Sequence, residues 1–167
     1  MKNLWTPWRT SYISGQAGKR EGCIFDELAG RSAPDKETLT LYRDKLVVVL
    51  LNGFPYANGH LLIGPSRHLA DVAELSDEES TAIMEMIRAS VAILRKHLKP
   101  DGLNVGLNLG AVAGAGISDH LHFHVVPRWE GDHNFMTVLA EVRTIPEHID
   151  NTFDMLLPDF VILANGK

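Results

Sequence analysis

Seven residues, His120-Leu121-His122-Phe123-His124-Val125-Val126, alternate imidazole with apolar side chains. A period of two belongs to a β-strand, in which successive side chains fall on opposite faces. The segment therefore predicts a strand with three imidazoles on one face and Leu121, Phe123 and Val125 on the other, anchored in a core. Alternate residues stand about 6.6 Å apart along a strand. At that spacing the imidazoles can bracket one phosphate or converge on one metal ion, for which histidine is a common ligand. The plainest alternative is a surface strand whose polar face happens to carry histidine, and it leaves the glycine-rich loop before His120 without a purpose.

Such a strand needs partners, and the rest of the chain supplies them. Leu39, Leu41 and the run Leu46 to Leu51 predict one or two strands, the second buried on both faces. The turn-rich stretch 52–59 and the apolar segment His60 to Pro65 complete a long hairpin that proline stops. Ser76 and Glu79 form a Ser-x-x-Glu capping box, and Ile83, Ile87, Val91, Leu94 and Leu98 make one apolar stripe. They predict a helix from Ser76 to Lys99, roughly 30 Å long, with Arg95, Lys96 and Lys99 at its negative end before Pro100. Leu103 to Leu109 reads as a half-polar strand, and Gly110 to Gly116 as a loop almost without side chains. Residues 1–40 are the least regular part, with one short helix expected. The expected fold class is α+β: an antiparallel sheet of about five strands with the long helix packed on one face. No repeat or linker divides the chain, so residues 1–167 are expected to form one domain, with an irregular N-terminal segment (1–20) and a C-terminal extension (about 136–167).

A net charge of -5 argues against nucleic-acid polymers and anionic membranes as partners, though not against a small polyanion held locally. The longest apolar run has six residues, far below the roughly 20 of a membrane helix. Met1 to Arg9 lacks the apolar core of a secretory signal, and a single cysteine fits a reducing compartment. The expected location is the cytoplasm.

Phosphate is favoured by the loop, because Gly114, Ala115 and Gly116 let backbone N–H groups approach an anion without obstruction. The segment from His120 to Arg128 resembles the signature of the histidine-triad superfamily of nucleotidyl hydrolases and transferases. Leu51-Asn52 with Gly59 to Pro65 resembles that family's nucleotide-side hairpin, and Asn108 stands where an amide for the scissile phosphate is usual. The N-terminal Leu4 to Arg9, the long stretch from Gly110 to Ile117, Trp129 and Asn134-Phe135 resemble the bacterial branch with diadenosine polyphosphate phosphorylases and hydrolases. The resemblance implies that His122 is the nucleophile and forms a nucleotidyl-histidine intermediate. His124 and backbone N–H groups of residues 115–118 would meet charge on the phosphate oxygens. His120 would orient its neighbours or hold a metal, Asn108 would bond a phosphate oxygen, and Asn52 and His60 would make nucleoside and support contacts. The implied reaction is cleavage of dinucleoside polyphosphates with water or phosphate as acceptor, in a homodimer. No cofactor is demanded, although Mg²⁺ could accompany the polyphosphate.

Two departures stand out. Many relatives carry Gln-Ser or Gln-Thr where this chain has Gly116-Ile117, and Ser118 points to the opposite face from Ile117 in an extended segment. This disfavours the alternative of a nucleoside phosphoramidase. Relatives with structural zinc carry Cys-x-x-Cys where this chain has Cys23 and Asp26. Cys23, Asp26, His68 and His120 could still close a tetrahedral zinc site, or Cys23 is a small buried hydrophobe and Asp26 a helix cap. Another alternative is a non-catalytic nucleotide-binding protein. Trp5, Trp8, Tyr12, Trp129 and Phe135 are expected to serve packing or a dimer interface rather than base stacking. His97 is expected to complement the helix dipole, and His133 and His148 carry no assignment. Arg128 either contacts a distal phosphate or makes a surface ion pair.

Overall fold

The computed structural model describes residues 23–28, 31, 33–132 and 147–166. Five strands, β1 (Thr40–Arg43), β2 (Val47–Leu51), β3 (Leu61–Pro65), β4 (Gly102–Leu107) and β5 (Phe123–Arg128), form one sheet. Their order is β1-β2-β3-β5-β4 and every neighbouring pair is antiparallel. The helices are α1 (Asp77–Leu98) and α2 (Ile149–Asn165).

The predicted hairpin is β2 and β3, paired from Val47 opposite Pro65 to Leu51 opposite Leu61. All five residues of β2 are buried because both faces are covered. Val47, Val49 and Leu51 pack under the helices, while Val48 and Leu50 pack with Leu62, Cys23, Phe25 and Leu28 on the opposite face. The chain turns from β1 to β2 on Asp44, whose carboxylate accepts the N–H groups of Leu46 and Val47.

Helix α1 begins at the predicted capping box: Ser76 Oγ accepts the Glu79 N–H at 3.1 Å, and Glu79 returns a bond to the Ser76 N–H at 2.9 Å. The Arg67 guanidinium reaches the same carboxylate from the end of β3, tying the hairpin to the helix start. Ile83, Ile87 and Leu94 enter the core, with Val91 and Leu98 at its margin. Each fully buried side chain of this kind contributes about 1.5–3 kcal/mol.

Helix α2 was not foreseen within the C-terminal extension. Phe153, Leu156 and Phe160, spaced by three and four, are buried against the same core. Pro158 lies inside the helix, which obscures the pattern in the sequence. The helix is held to α1 by Asp159, which accepts from Lys96 and His97. His97 thus joins two helices as well as standing in the last turn of α1.

The triad strand starts three residues later than its periodicity suggests. β5 pairs with β3 only from Ile63–Phe123 to Leu61–Val125. Beyond that point β3 offers Gly64 and Pro65; proline has no N–H for a ladder, and the Pro65 carbonyl is taken by the His120 imidazole at 2.9 Å. The segment 120–122 instead crosses close over β3, where a Cβ on Gly64 would lie 2.6 Å from the Leu121 carbonyl oxygen. Trp5, Trp8, Tyr12, His133 and Phe135 lie outside the described residues; of the short helix expected within 1–40, the described residues 23–28 show hydrogen-bonded turns, with the Asp26 and Glu27 N–H groups donating to the Cys23 carbonyl.

Candidate active site

Although only part of the triad lies in a strand, the histidines gather on the sheet face opposite the helices. Phe25, from the N-terminal segment, stacks on His120 with ring centroids 4.4 Å apart and tilts against His122 at 5.7 Å. His122 and His124 meet edge to face at 4.9 Å, and His124 lies 5.1 Å from His60, with Tyr56 tilted against both. Phe25 and Tyr56 belong to this array but had no periodic signal in the sequence; they are recognisable only as aromatics beside a candidate ligand and a candidate support histidine.

The hydrogen bonds decide where the protons sit. His122 Nδ1 lies 2.8 Å from the His120 carbonyl oxygen, which only accepts, so Nδ1 carries the hydrogen and Nε2 keeps its lone pair. Burial lowers the His122 pKa below the ordinary imidazole value, partly opposed by that bond. His122 is therefore a neutral imidazole near pH 7 with a bare Nε2. His124 is pushed down to about 4 by burial, with a further contribution from His122, and it too is neutral.

His120 is turned away from this chemistry. Its Nε2 donates to Pro65, which leaves Nδ1 as a lone pair 3.3 Å from Cys23 Sγ. His68 Nδ1 stands 2.7 Å from Asp26, and one ligand atom from each of Cys23, Asp26, His68 and His120 lies within 4.8 Å of all the others. Tetrahedral zinc with ligands at about 2.0–2.3 Å requires ligand–ligand separations of about 3.3–3.8 Å, so only small movements separate the group from a closed site. The His120 bond to a backbone carbonyl is the support that metal-bound histidines ordinarily have. The four residues fit a metal ion, and Cys23 and Asp26 do come together as the zinc alternative requires.

The loop between β4 and β5 contains a 3-10 turn, Ala111–Ala113, that ends on Gly114 with φ +91°, a value glycine accepts without strain. Within it Gly114 and Ala115 donate to Ala111 and Gly110. Those two N–H groups are thus engaged within the loop. Among the described residues no backbone acceptor engages the N–H groups of Gly116, Ile117 or Ser118. Ile117 packs against the Phe25 cluster while Ser118 is exposed. Asn108 donates to the Gly114 carbonyl at 3.3 Å, tying this loop to the end of β4.

A groove of about 850 Å³ extends from His124 over β4 and β5, lined in part by Asn108, Gly106, Val126 and Trp129. Arg128 lines it as well, and its guanidinium grips both oxygens of Asp132 and bonds Asn104. The structure thus shows the surface ion pair. Asn52 is also engaged, accepting from the Phe54 N–H and facing His60. His148, unassigned from the sequence, caps α2.

Comparison with known proteins bears on the same residues. The HIT domain family model matches residues 33–131. The chain is 36% identical to AP-4-A phosphorylase of Mycobacterium tuberculosis over 96% of this chain and 85% of that protein. It is 31% identical to adenosine 5'-monophosphoramidase of Schizosaccharomyces pombe over 64% of this chain and 74% of that protein. Among solved structures it resembles a zinc-bound histidine triad protein from Mycobacterium smegmatis, with TM-score 0.66 and 24% identity over 87% of this chain and 98% of the other. It also resembles a HIT family member from Bacillus subtilis, with TM-score 0.58 and 29% identity over 66% and 76%.

Proposed function

The chain belongs to the HIT-domain family, and from that premise we propose that it is an enzyme cleaving dinucleoside polyphosphates such as diadenosine tetraphosphate through a nucleotidyl intermediate on His122. The observation that carries this reading is the bond from His122 Nδ1 to the His120 carbonyl, which presents Nε2 as a bare nucleophile. His122 Nε2 attacks the α-phosphorus and the bond to the leaving polyphosphate oxygen breaks. The His120 carbonyl stays on Nδ1–H and stabilises the positive charge that develops on the ring. His124, its Nδ1 facing His60 Nε2 at 2.9 Å, offers Nε2–H to the departing oxygen. An oxygen of inorganic phosphate then attacks the phosphorus, the N–P bond breaks, and His122 is restored. With diadenosine tetraphosphate the products are ATP and then ADP. The mycobacterial relative favours phosphate over water as the acceptor. The N–H groups of Gly116, Ile117 and Ser118, with Asn108, are assigned to the phosphate oxygens.

Cys23, Asp26, His68 and His120 are the residues that would hold zinc, which when bound would act structurally by joining the N-terminal segment to the triad. Mg²⁺ would enter only with the polyphosphate. The edge strand β4 has a backbone edge without a partner strand among the described residues, and Val105 beside it is 47% exposed. Such an edge suits pairing with a second copy in a homodimer. We read residues 1–167 as one domain acting in the cytoplasm; among the described residues no helix is long and apolar enough to cross a membrane.

The test is incubation with diadenosine tetraphosphate with and without inorganic phosphate. ADP and ATP formed only with phosphate support phosphorolysis, whereas AMP and ATP in both conditions make water the acceptor. The fission yeast relative supports a second reading, phosphoramidate cleavage, which shares the first chemical step. No turnover of either substrate class would overturn the enzymatic reading in favour of nucleotide binding alone.

A further inference from the structure

Asn52, which the sequence suggested for the nucleoside, has its amide turned to another task. The Phe54 N–H lies 2.9 Å from Asn52 Oδ1. A backbone N–H can only donate, so this contact fixes which end of the amide is oxygen. The other end, Nδ2, is therefore the group 3.2 Å from His60 Nδ1. The Tyr56 N–H points to the same nitrogen from 3.1 Å. Two donors converge on His60 Nδ1, which must be a bare acceptor, and the ring proton must sit on Nε2.

From there the assignment passes across the sheet. His60 Nε2–H faces His124 Nδ1 at 2.9 Å, so His124 accepts at Nδ1 and holds its own proton on Nε2. His60 is fully buried, which disfavours a charged ring as an escape from this arrangement. We propose that Asn52 is a positioning residue that, with the Tyr56 N–H, fixes the tautomer of His60 and through it the proton that His124 presents to the leaving oxygen. The proposal rests on the role given above to His124, and it deepens that role by naming what sets the proton.

The substitution Asn52→Asp separates this role from a ribose contact. A carboxylate still accepts the Phe54 N–H and still accepts from ribose hydroxyls, so the turn and a sugar contact survive. It cannot donate to His60 Nδ1, and it draws a proton there instead. Nitrogen-15 NMR of the histidine rings in the substrate-free protein should show His60 protonated at Nε2 and bare at Nδ1 in the wild type, with a measurable share of the Nδ1-protonated ring in Asn52→Ala, where the Tyr56 N–H alone remains. In Asn52→Asp, Nδ1 should be protonated, and kcat should fall at least tenfold with KM changed less than threefold. Wild-type spectra with a proton on His60 Nδ1, or an Asn52→Asp protein with Nδ1 still bare, overturn the proposal, and the first result does so even if the variant fails to fold. A KM increase with kcat preserved also overturns it and returns Asn52 to the ribose. The NMR arm needs no substrate, so a wild type that turned over no nucleotide would count against the proposed function while the spectra decided the proton assignment by themselves.

Discussion

Replacing Gly64 by alanine probes the join between the sheet and the catalytic segment. Gly64 sits in β3 opposite Val48, in the middle of the sheet, with the 120–122 segment crossing over it. A methyl group there would stand 2.6 Å from the Leu121 carbonyl oxygen, 3.4 Å from Phe25 Cε1 and 3.7 Å from His120 Cδ2. Restoring ordinary contact at 3.4 Å requires about 0.8 Å of movement, and the nearest obstacle is backbone rather than a flexible side-chain tip. Gly64 is held in its ladder with Val48 of β2 while the 120–122 segment, which has no ladder bond to β3, is the freer of the two, so the displacement falls mainly on the segment that carries His120 and His122. Overpacking of this kind destabilises by about 1–3 kcal/mol, which in a chain of this size lowers Tm by roughly 2–12 °C. With His122 as the proposed nucleophile, a shift of this order in its ring reduces turnover by up to about a hundredfold. Thermal unfolding followed by circular dichroism and steady-state turnover of diadenosine tetraphosphate give the two readouts. A Gly64→Ala protein with Tm within 1 °C and kcat within twofold of wild type would refute the argument that the close crossing positions the triad.

His122→Asn should abolish turnover while leaving nucleotide affinity within about tenfold, near 1.4 kcal/mol, by calorimetric titration; retained catalysis would remove His122 from the nucleophile role. Glu79, nearly buried, has its carboxyl held down to about 2, chiefly by the Arg67 guanidinium, with the Ser76 N–H assisting. Its stabilisation is present above the ordinary carboxylate value and is lost as pH falls toward that depressed one. Glu79→Gln should therefore lose about 2 kcal/mol at pH 7 in urea unfolding and show a smaller difference from wild type near pH 3; equal differences at both would refute it. Protein purified without added zinc or a nickel column should carry close to one zinc per chain, and Cys23→Ser much less. Less than a tenth of an equivalent in the wild type would sink the zinc assignment.

The parts of this protein legible in the sequence were those set by local rules. The capping box at Ser76 and Glu79, the stripe from Ile83 to Leu98 and the both-sides-buried run Val47 to Leu51 all appear where their spacing put them. The three histidines share a face as their alternation required. Helix α2 escaped because Pro158 interrupts a pattern that packing against β1 and α1 nonetheless sustains. The late start of β5 escaped because the alternation of 120–126 continues through residues whose ladder partners, Gly64 and Pro65, lie in a distant part of the chain. The use of the Gly114 and Ala115 N–H groups inside a 3-10 turn was hidden for a related reason: composition shows that a loop lacks side chains but not where its backbone bonds go.

The sequence by itself determined the β2–β3 hairpin, helix α1, the face on which the histidines lie and the chemistry that imidazoles can perform, because periodicity and residue type act over a few neighbours. Only the tertiary structure decided which nitrogen of each ring holds its proton. That choice depends on single donors and acceptors, the carbonyls of His120 and Pro65, the amide of Asn52 and the N–H of Tyr56, and three of these four are brought to their rings by turns and crossings rather than by the histidine strand. It also decided that Cys23 and Asp26 meet His68 and His120, since strand pairing across β2, β3 and β5 is what carries residues nearly a hundred positions apart to within ligand distance of one another.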